Sequence, residues 1–319
     1  MRSYLNKKKI FLFLSISLLF FSCKQKEAKS FEAIQKTVEI KILGTMQDGG
    51  MPHLGCVKSC CKDYFEKGFS KKRVVSLGVL DSKENKNYLI EASPDISIQL
   101  NELLKNKSSK LDGIFITHAH IGHYSGLINL GKEVANTSKT PLYLMPKMTQ
   151  FISNNGPWDQ LVKLENIELR EVFNEKEEKL TENLTIIPLK VPHRDEYSET
   201  VGYKIIGPKK KALFIPDIDK WSKWEKSIES LISQVDYAFL DGTFYDGNEV
   251  NNRDISQIPH PFIIESLELF KGLKESDRNK IYFIHLNHTN PANNKDSEAY
   301  KSIKAKGFQV AQMGMTFQL

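Results

Sequence analysis

The segment Thr117-His118-Ala119-His120-Ile121-Gly122-His123 carries the densest chemistry in the sequence. It places three of the chain's eight histidines within six residues, directly after the apolar run 111–117. Neutral imidazole is a good zinc ligand, and a catalytic zinc commonly keeps three protein ligands and one open position. In a loop leaving a strand, His118 and His120 can converge on one point while His123 turns toward a neighbouring one. Further donors follow other apolar runs: Pro192-His193, Pro216-Asp217 with Asp219 just beyond, and His285-Leu286-Asn287-His288. A lone histidine at a strand end is ordinarily just a satisfied polar residue. In the company of the first cluster, His193 and Asp217 become candidate ligands.

A second constellation is Cys56-Val57-Lys58-Ser59-Cys60-Cys61, which follows a glycine-rich stretch over 49–55. Three thiolates at this spacing can wrap one zinc, yet they are one ligand short of a closed tetrahedral site. The competing reading is a disulfide from Cys56 to Cys60 or Cys61, with one thiol left over. The adjacent pair Cys60-Cys61 is an awkward disulfide on geometric grounds.

The elements that position these groups are short apolar runs alternating with helical patterns. Strands are expected at 38–43, 74–80, 88–92, 111–117, 141–144, 167–172, 184–191, 201–206, 212–215, 237–240, 281–284 and 308–313. Helices are expected at about 95–105, 126–135, 147–154, 221–234, 261–273 and 296–304. Such a mixture implies sheets covered by helices, an α/β fold. Chemistry is then expected in the loops that leave the strands.

The 319 residues are 40% hydrophobic and 26% charged, ordinary globular values. The formal net charge is +6, but Arg2, Lys7, Lys8 and Lys9 supply four bases with no acid in residues 1–22. The remainder carries little basic excess, so no specific nucleic-acid binding is expected. Those first residues read as a signal peptide, with a basic start and an apolar stretch over 10–21 too short for a comfortable span. Ser22-Cys23 at its end resembles a bacterial lipobox. Cys23 is thus expected to be the lipidated first residue of the mature chain, with 23–36 as a polar tether and 37–319 as the folded domain. The expected location is the cell envelope, lipid-anchored on the periplasmic side or in the outer membrane. An oxidising compartment of that kind also permits disulfides.

From about residue 38 to the end, the histidine motif followed by His193, Asp217 and His285 in that order resembles the metallo-β-lactamase superfamily. The resemblance implies a four-layer αβ/βα sandwich with metals at the edge between two sheets. It implies that His118, His120 and His193 hold one metal, His123 and His285 a second, and Asp217 bridges. It assigns catalytic roles to Asp217 and His123, with Asp95 as a supporting acid on the preceding loop. One departure stands out, because the superfamily motif normally carries aspartate where this chain has Gly122. The second metal is therefore expected to bind more weakly, with Asp48 or Asp219 as possible replacements, and restoring an aspartate at 122 should tighten it. Asp48-Gly49-Gly50 before the cysteines, and the stretch 283–291, resemble the pyrroloquinoline quinone biosynthesis protein B family. The cysteines also resemble the phosphodiesterase branch serving the carbon–phosphorus lyase pathway, where three cysteines and a histidine hold a structural zinc. On that resemblance Cys56, Cys60, Cys61 and His288 form such a site.

The expected activity is zinc-dependent hydrolysis of a small molecule, first a phosphodiester or cyclic phosphate and second a lactam or lactone. The expected cofactor is one or two active-site zincs plus one structural zinc, with iron as the alternative metal. Other outcomes are a protein-B-like oxidative role in quinone cofactor metabolism, or a non-catalytic envelope binding protein. Tyr124, Trp158, Trp221, Trp224, Tyr245 and His260 are candidates to line the pocket.

Overall fold

The edge-facing and interior strands differ in burial pattern. In β1 (Val38–Gly44), Val38, Ile40 and Ile42 are buried while Glu39 and Lys41 are only partly so, the period-two pattern of a strand with one face on a core. β2 (Ser76–Asp81), β3 (Lys86–Ile90), β4 (Gly113–Phe115) and β5 (Thr140–Leu144) are buried at almost every position, as strands covered on both faces must be. β6 (Ile167–Glu171) completes this run of strands. The second sheet follows as β7 (Glu178–Lys179), β8 (Thr185–Lys190), β9 (Val201–Ile206), β10 (Lys211–Ile215), β11 (Tyr237–Asp241), β12 (Ile281–Ile284) and β13 (Gln309–Val310). β14 (Thr316–Gln318) returns to pair antiparallel with β1. This computed structural model describes residues 38–104, 110–250 and 254–319, all within one compact unit. The leader, the tether and Cys23 lie outside the described residues.

The two seven-stranded sheets run β14-β1-β2-β3-β4-β5-β6 and β13-β12-β11-β10-β9-β8-β7. Strands β3 to β6 are mutually parallel, as are β10 to β13. Parallel neighbours need long crossovers, and helices supply them: Ile96–Leu103 between β3 and β4, Ile228–Ser233 between β10 and β11, and Ile263–Leu269 between β11 and β12. One apolar cluster fills the space between the sheets, around Phe115, Tyr203, Phe214 and Phe239. Two others join each sheet to its own helices, through Ile96, Met148 and Ile152 on one side and Ile228, Ile263 and Ile303 on the other. The layers are helix, sheet, sheet, helix: the αβ/βα sandwich.

Strands β1, β3 and β4 point the same way in the first sheet, and β8, β10, β11 and β12 do so in the second, since each is separated from the next by an even number of antiparallel steps or by none. Their C-terminal loops therefore emerge at one edge of each sheet, where polar side chains can meet.

Three local expectations change. Residues 221–234 do not form one helix. A short 3-10 turn at Trp221–Lys223 gives way to extended Trp224, whose indole Nε1–H donates to the Lys190 carbonyl at 2.9 Å, and Ser227 caps a new helix at Ile228–Ser233. The expected helix over 126–135 is a 3-10 segment, Ser125–Leu130. The helix Ser59–Lys67 has no counterpart among the expectations, because it buries only Cys61 and so shows no apolar period.

Candidate metal centres

The loop after β4 delivers His118 and His120, the loop after β8 His193, and the loop after β10 Asp217. These four offer ligand atoms that all lie within 4.8 Å of one another. His118 Nε2 and His193 Nε2 each stand 3.3 Å from Asp217 Oδ2. His193 Nε2 is also 3.3 Å from His120 Nδ1. Donors about 2.0–2.1 Å from a single tetrahedral zinc would be separated by roughly 3.3–3.4 Å, so the set fits that ion.

A second group adjoins it: His123, His285 and Asp48. His123 Nε2 is 3.5 Å from Asp48 Oδ1 and 3.9 Å from Asp217 Oδ2, which puts Asp217 between the two groups. Buried His118 Nε2, His123 Nε2, His285 Nε2 and Asp48 Oδ1 make no hydrogen bond. Leaving that many buried polar atoms unpaired is costly. A cation in each group would resolve all of them, so the residues fit metal ions.

Except at His193, whose buried Nδ1 makes no hydrogen bond, the opposite ring nitrogens are held from outside, which fixes which nitrogen points inward. His118 Nδ1 lies 2.9 Å from Thr117 Oγ1, His285 Nδ1 2.9 Å from Thr243 Oγ1, and His120 Nε2 3.1 Å from Glu196 Oε2. His123 Nδ1 faces Glu91 Oε1 at 3.2 Å. Thr243 Oγ1–H donates in turn to Asp241 Oδ1 at 2.7 Å. Burial pushes the imidazole of His285 down to about 4 and that of His118 well below its ordinary value, so both are neutral donors. Burial also opposes charge on His123, but Glu91, Asp48 and Asp217 outweigh it and hold that ring at about 9. The pocket favours positive charge at this point. Glu91 and His285 each have positive φ, 74° and 64°. For residues with side chains that backbone is strained, and such strain gathers at functional sites.

Asp95 does not support the histidines. Its Oδ1 takes Lys71 Nζ at 2.7 Å and its Oδ2 accepts the Val74 N–H at 2.9 Å. The acid of that loop that reaches the site is Glu91, fully buried directly after β3, with Oε2 accepting the Thr117 N–H at 3.3 Å. Asp219 is also elsewhere, bound to Lys223 at 2.7 Å.

The cysteines converge on His288. Cys56 and Cys60 sulfurs stand 3.9 Å apart and Cys60 and Cys61 4.0 Å, near the roughly 3.8 Å edge expected of thiolates about 2.3 Å from one zinc. All three cysteines are free, and no disulfide joins them. His288 Nδ1 is buried without a hydrogen bond, and burial with His53 and Lys58 nearby pushes the ring down to about 4. The His53 N–H donates to Cys61 Sγ at 3.3 Å, and the His53 ring stacks on His288 at 4.3 Å. Here too the donor set fits a metal, with soft sulfur ligands that suit zinc.

The family model described as "Beta-lactamase superfamily domain" matches residues 86–286, more than half of the chain. The chain belongs to the beta-lactamase superfamily. Among curated relatives, Coenzyme PQQ synthesis protein B of Methylorubrum extorquens strain PA1 is 25% identical over 307 residues, covering 88% of this chain and all of the relative. The same protein of Acinetobacter baumannii strain ACICU is 23% identical over 311 residues, again covering 88% and 100%. Among solved structures, zinc-bound PqqB from Methylobacterium extorquens superposes with a TM-score of 0.74 at 21% identity, covering 88% and 100%. A diphosphatase of the PhnP family gives 0.62 at 22%, covering 89% and 97%. Both confirm the metallo-β-lactamase fold.

For a superfamily member, His260 deserves a larger role than pocket lining. It is buried, with Nδ1 2.9 Å from Asp241 Oδ2 and 3.2 Å from Asp217 Oδ1. Burial opposes its charge, but these two carboxylates hold it up at about 10. Its Nδ1 hydrogen-bonds Asp241 Oδ2, and the ring faces Asp217 Oδ1 as an ion-pair neighbour. The sequence marks His260 only as a histidine before Pro261, with no strand in front of it. Trp221 and Trp224 belong to the core, their indole N–H groups donating to Ser266 Oγ and the Lys190 carbonyl, and Tyr245 packs against the same cluster. Tyr124 and Trp158 pack with Phe151, which also meets exposed Tyr197.

Proposed function

We propose that this protein is a zinc-dependent hydrolase acting on a phosphodiester or a similar ester of a small molecule. The observation that carries the reading is the pair of adjacent donor groups sharing Asp217, with the inward atoms of His118, His123, His285 and Asp48 unpaired and most outward nitrogens held. His118, His120 and His193 hold one zinc, His123 and His285 belong to the second group, and Asp217 lies between. A metal in this setting supplies Lewis acidity, polarising a phosphoryl or carbonyl group and lowering the pKa of water toward neutrality. The protein's own groups do the rest. Thr117, Glu91 and Thr243 keep the histidines in the tautomers that face inward, and His260 stands behind Asp217 as its ion-pair neighbour. The PhnP-family diphosphatase supports phosphate ester chemistry, and fold likeness alone leaves the substrate to experiment. The thiolate set with His288 is read as a structural zinc site. Residues 1–36 are read as lipoprotein leader and tether, and Cys23→Ser should free the protein from membranes.

The test is metal analysis of the soluble domain, followed by turnover of bis(p-nitrophenyl) phosphate and of an aryl lactone. Zinc at the histidine centre and diester turnover abolished by His118→Ala are expected. Turnover that survives both His118→Ala and chelation sinks the zinc-dependent reading, and absence of turnover on either substrate by the zinc-loaded protein sinks the hydrolase reading. A second reading, a role like that of Coenzyme PQQ synthesis protein B, is favoured by similarity along the relatives' whole length. Tightly bound iron and oxygen-dependent turnover of a quinone precursor would shift the balance to it.

A further inference from the structure

We infer that Asp48 supplies the carboxylate of the second metal site from the loop after β1, and that position 122 is glycine because this carboxylate fills the space a side chain would need. The inference rests on the metal-centre reading above and specifies its second ligand set.

The steric observation is direct. A Cβ built on Gly122 falls 2.2 Å from Asp48 Oδ1 and 2.5 Å from Asp48 Cα. Real carbon atoms do not approach so closely, and Asp48 Cα is main chain that cannot swing aside. Gly122 sits in the short helix Ile121–Tyr124 and its φ is outside the left-handed region. Backbone conformation therefore gives no reason for glycine, which costs about 1 kcal/mol against alanine in a helix interior. The close approach of Asp48 does give one.

The electronic observation is independent. Asp48 Oδ1 is buried and makes no hydrogen bond, although the side chain as a whole is 30% exposed. The carboxylate points one oxygen inward, toward His123 Nε2 and within reach of His285.

The loop holds it there firmly. The Gln47 N–H donates to the Leu286 carbonyl and the Leu286 N–H to the Thr45 carbonyl, each at 2.9 Å, so the residues before Asp48 run beside the residue after His285. The Gly50 N–H closes a turn on the Gln47 carbonyl at 2.8 Å. Asn287 Nδ2–H also donates to Gln47 Oε1. Two neighbouring cations repel, and anionic ligands make such pairs tolerable. Asp48 adds negative charge where Gly122 contributes none, which reverses both expectations drawn from Gly122 alone: the second site is complete, and an added aspartate at 122 should damage it.

The experiment is zinc titration of the demetallated soluble domain, with bound metal counted by mass spectrometry. Cobalt substitution separates the thiolate site by its sulfur charge-transfer absorption. Four proteins are compared: the unaltered chain, Asp48→Asn, Gly122→Asp, and the double variant Asp48→Gly/Gly122→Asp. The unaltered protein should bind two zincs at the histidine centre. Asp48→Asn and Gly122→Asp should each weaken one of them at least tenfold, leaving the other and the thiolate site intact as proof of folding. The double variant should stay as weak as Gly122→Asp, since the main-chain Cα at position 48 still lies 2.5 Å from where the new Cβ must go. Asp48→Asn binding both zincs within threefold of the unaltered protein overturns the inference, as does a single zinc at the centre of the unaltered chain. Either of those leaves the metal-centre reading standing. No zinc at the histidines at all removes both.

Discussion

The histidine centre and the thiolate centre are built in opposite ways. The first gathers donors from the loops after five strands, β1, β4, β8, β10 and β12, and backs most of them with hydrogen-bonding partners. The second takes three donors from one six-residue stretch, Cys60 and Cys61 in the first turn of a helix with little buried surface, and borrows only His288 from afar. Two hydrophobic sheets hold the histidines in place whether or not a metal is present. Little apolar burial holds the cysteine segment, so a metal bound there would contribute to its folding.

The largest effect that sharpens this contrast should come from His118→Ala. Diester turnover is expected to fall by about 10³-fold or more, through loss of the metal that activates water, while the melting temperature moves by only a few degrees. A melting temperature lowered as much as by a cysteine variant would break the comparison. Next, Cys61→Ser should remove one metal per chain and lower the melting temperature on the order of 10 °C, with the histidine centre still able to load its zinc. Scanning calorimetry with metal counting checks both halves.

A smaller effect is expected from Glu91→Gln, which keeps the shape but removes the charge facing His123. Zinc affinity at the second group should fall about 10- to 100-fold, read by competition with a fluorescent chelator, with the thiolate site unchanged. The smallest concerns pH. Burial pushes Glu249 up to about 7, while N–H groups of Tyr245 and Asp246 and the Thr289 hydroxyl oppose that rise. A carboxyl with a raised folded pKa binds its proton more tightly folded than unfolded. Its contribution to stability is therefore full below its unfolded value of about 4.5 and is lost as pH climbs through about 7. Glu249→Gln should flatten the stability profile over that window by up to about 3 kcal/mol, measured by denaturant unfolding at several pH values. Thr289 adjoins His288, so a change in thiolate-site metal affinity in the same variant would show that the two regions are less separate than described.

Much of this was legible in the sequence, for identifiable reasons. The histidine motif announces itself by spacing, and His193, Asp217 and His285 by standing directly after apolar runs. Ten or more strands could be placed because burial on one or both faces leaves an apolar record. What escaped depends on direction in space. Glu91 and Asp95 occupy the same short stretch, and only the positive φ of Glu91 determines that it, and not Asp95, turns toward His123. Asp48 and Asp219 are both candidates to replace the carboxylate absent at Gly122, and only the packed fold, which sets Asp48 against Gly122 and Asp219 against Lys223, separates them. His260 follows no strand, so its place behind Asp217 had no local signature. The helix Ser59–Lys67 left no apolar period because Cys61 is its one buried residue.

The ladder that ties Gln47 to Leu286 and Asn287 spans 240 residues at its widest. During synthesis the segment bearing Asp48 emerges long before His285, so the second group has no complete donor set until β12 has been made. Contacts this distant in sequence are slow to form. A metal held by that group would wait on β12, since a chain that stops short of this strand lacks His285.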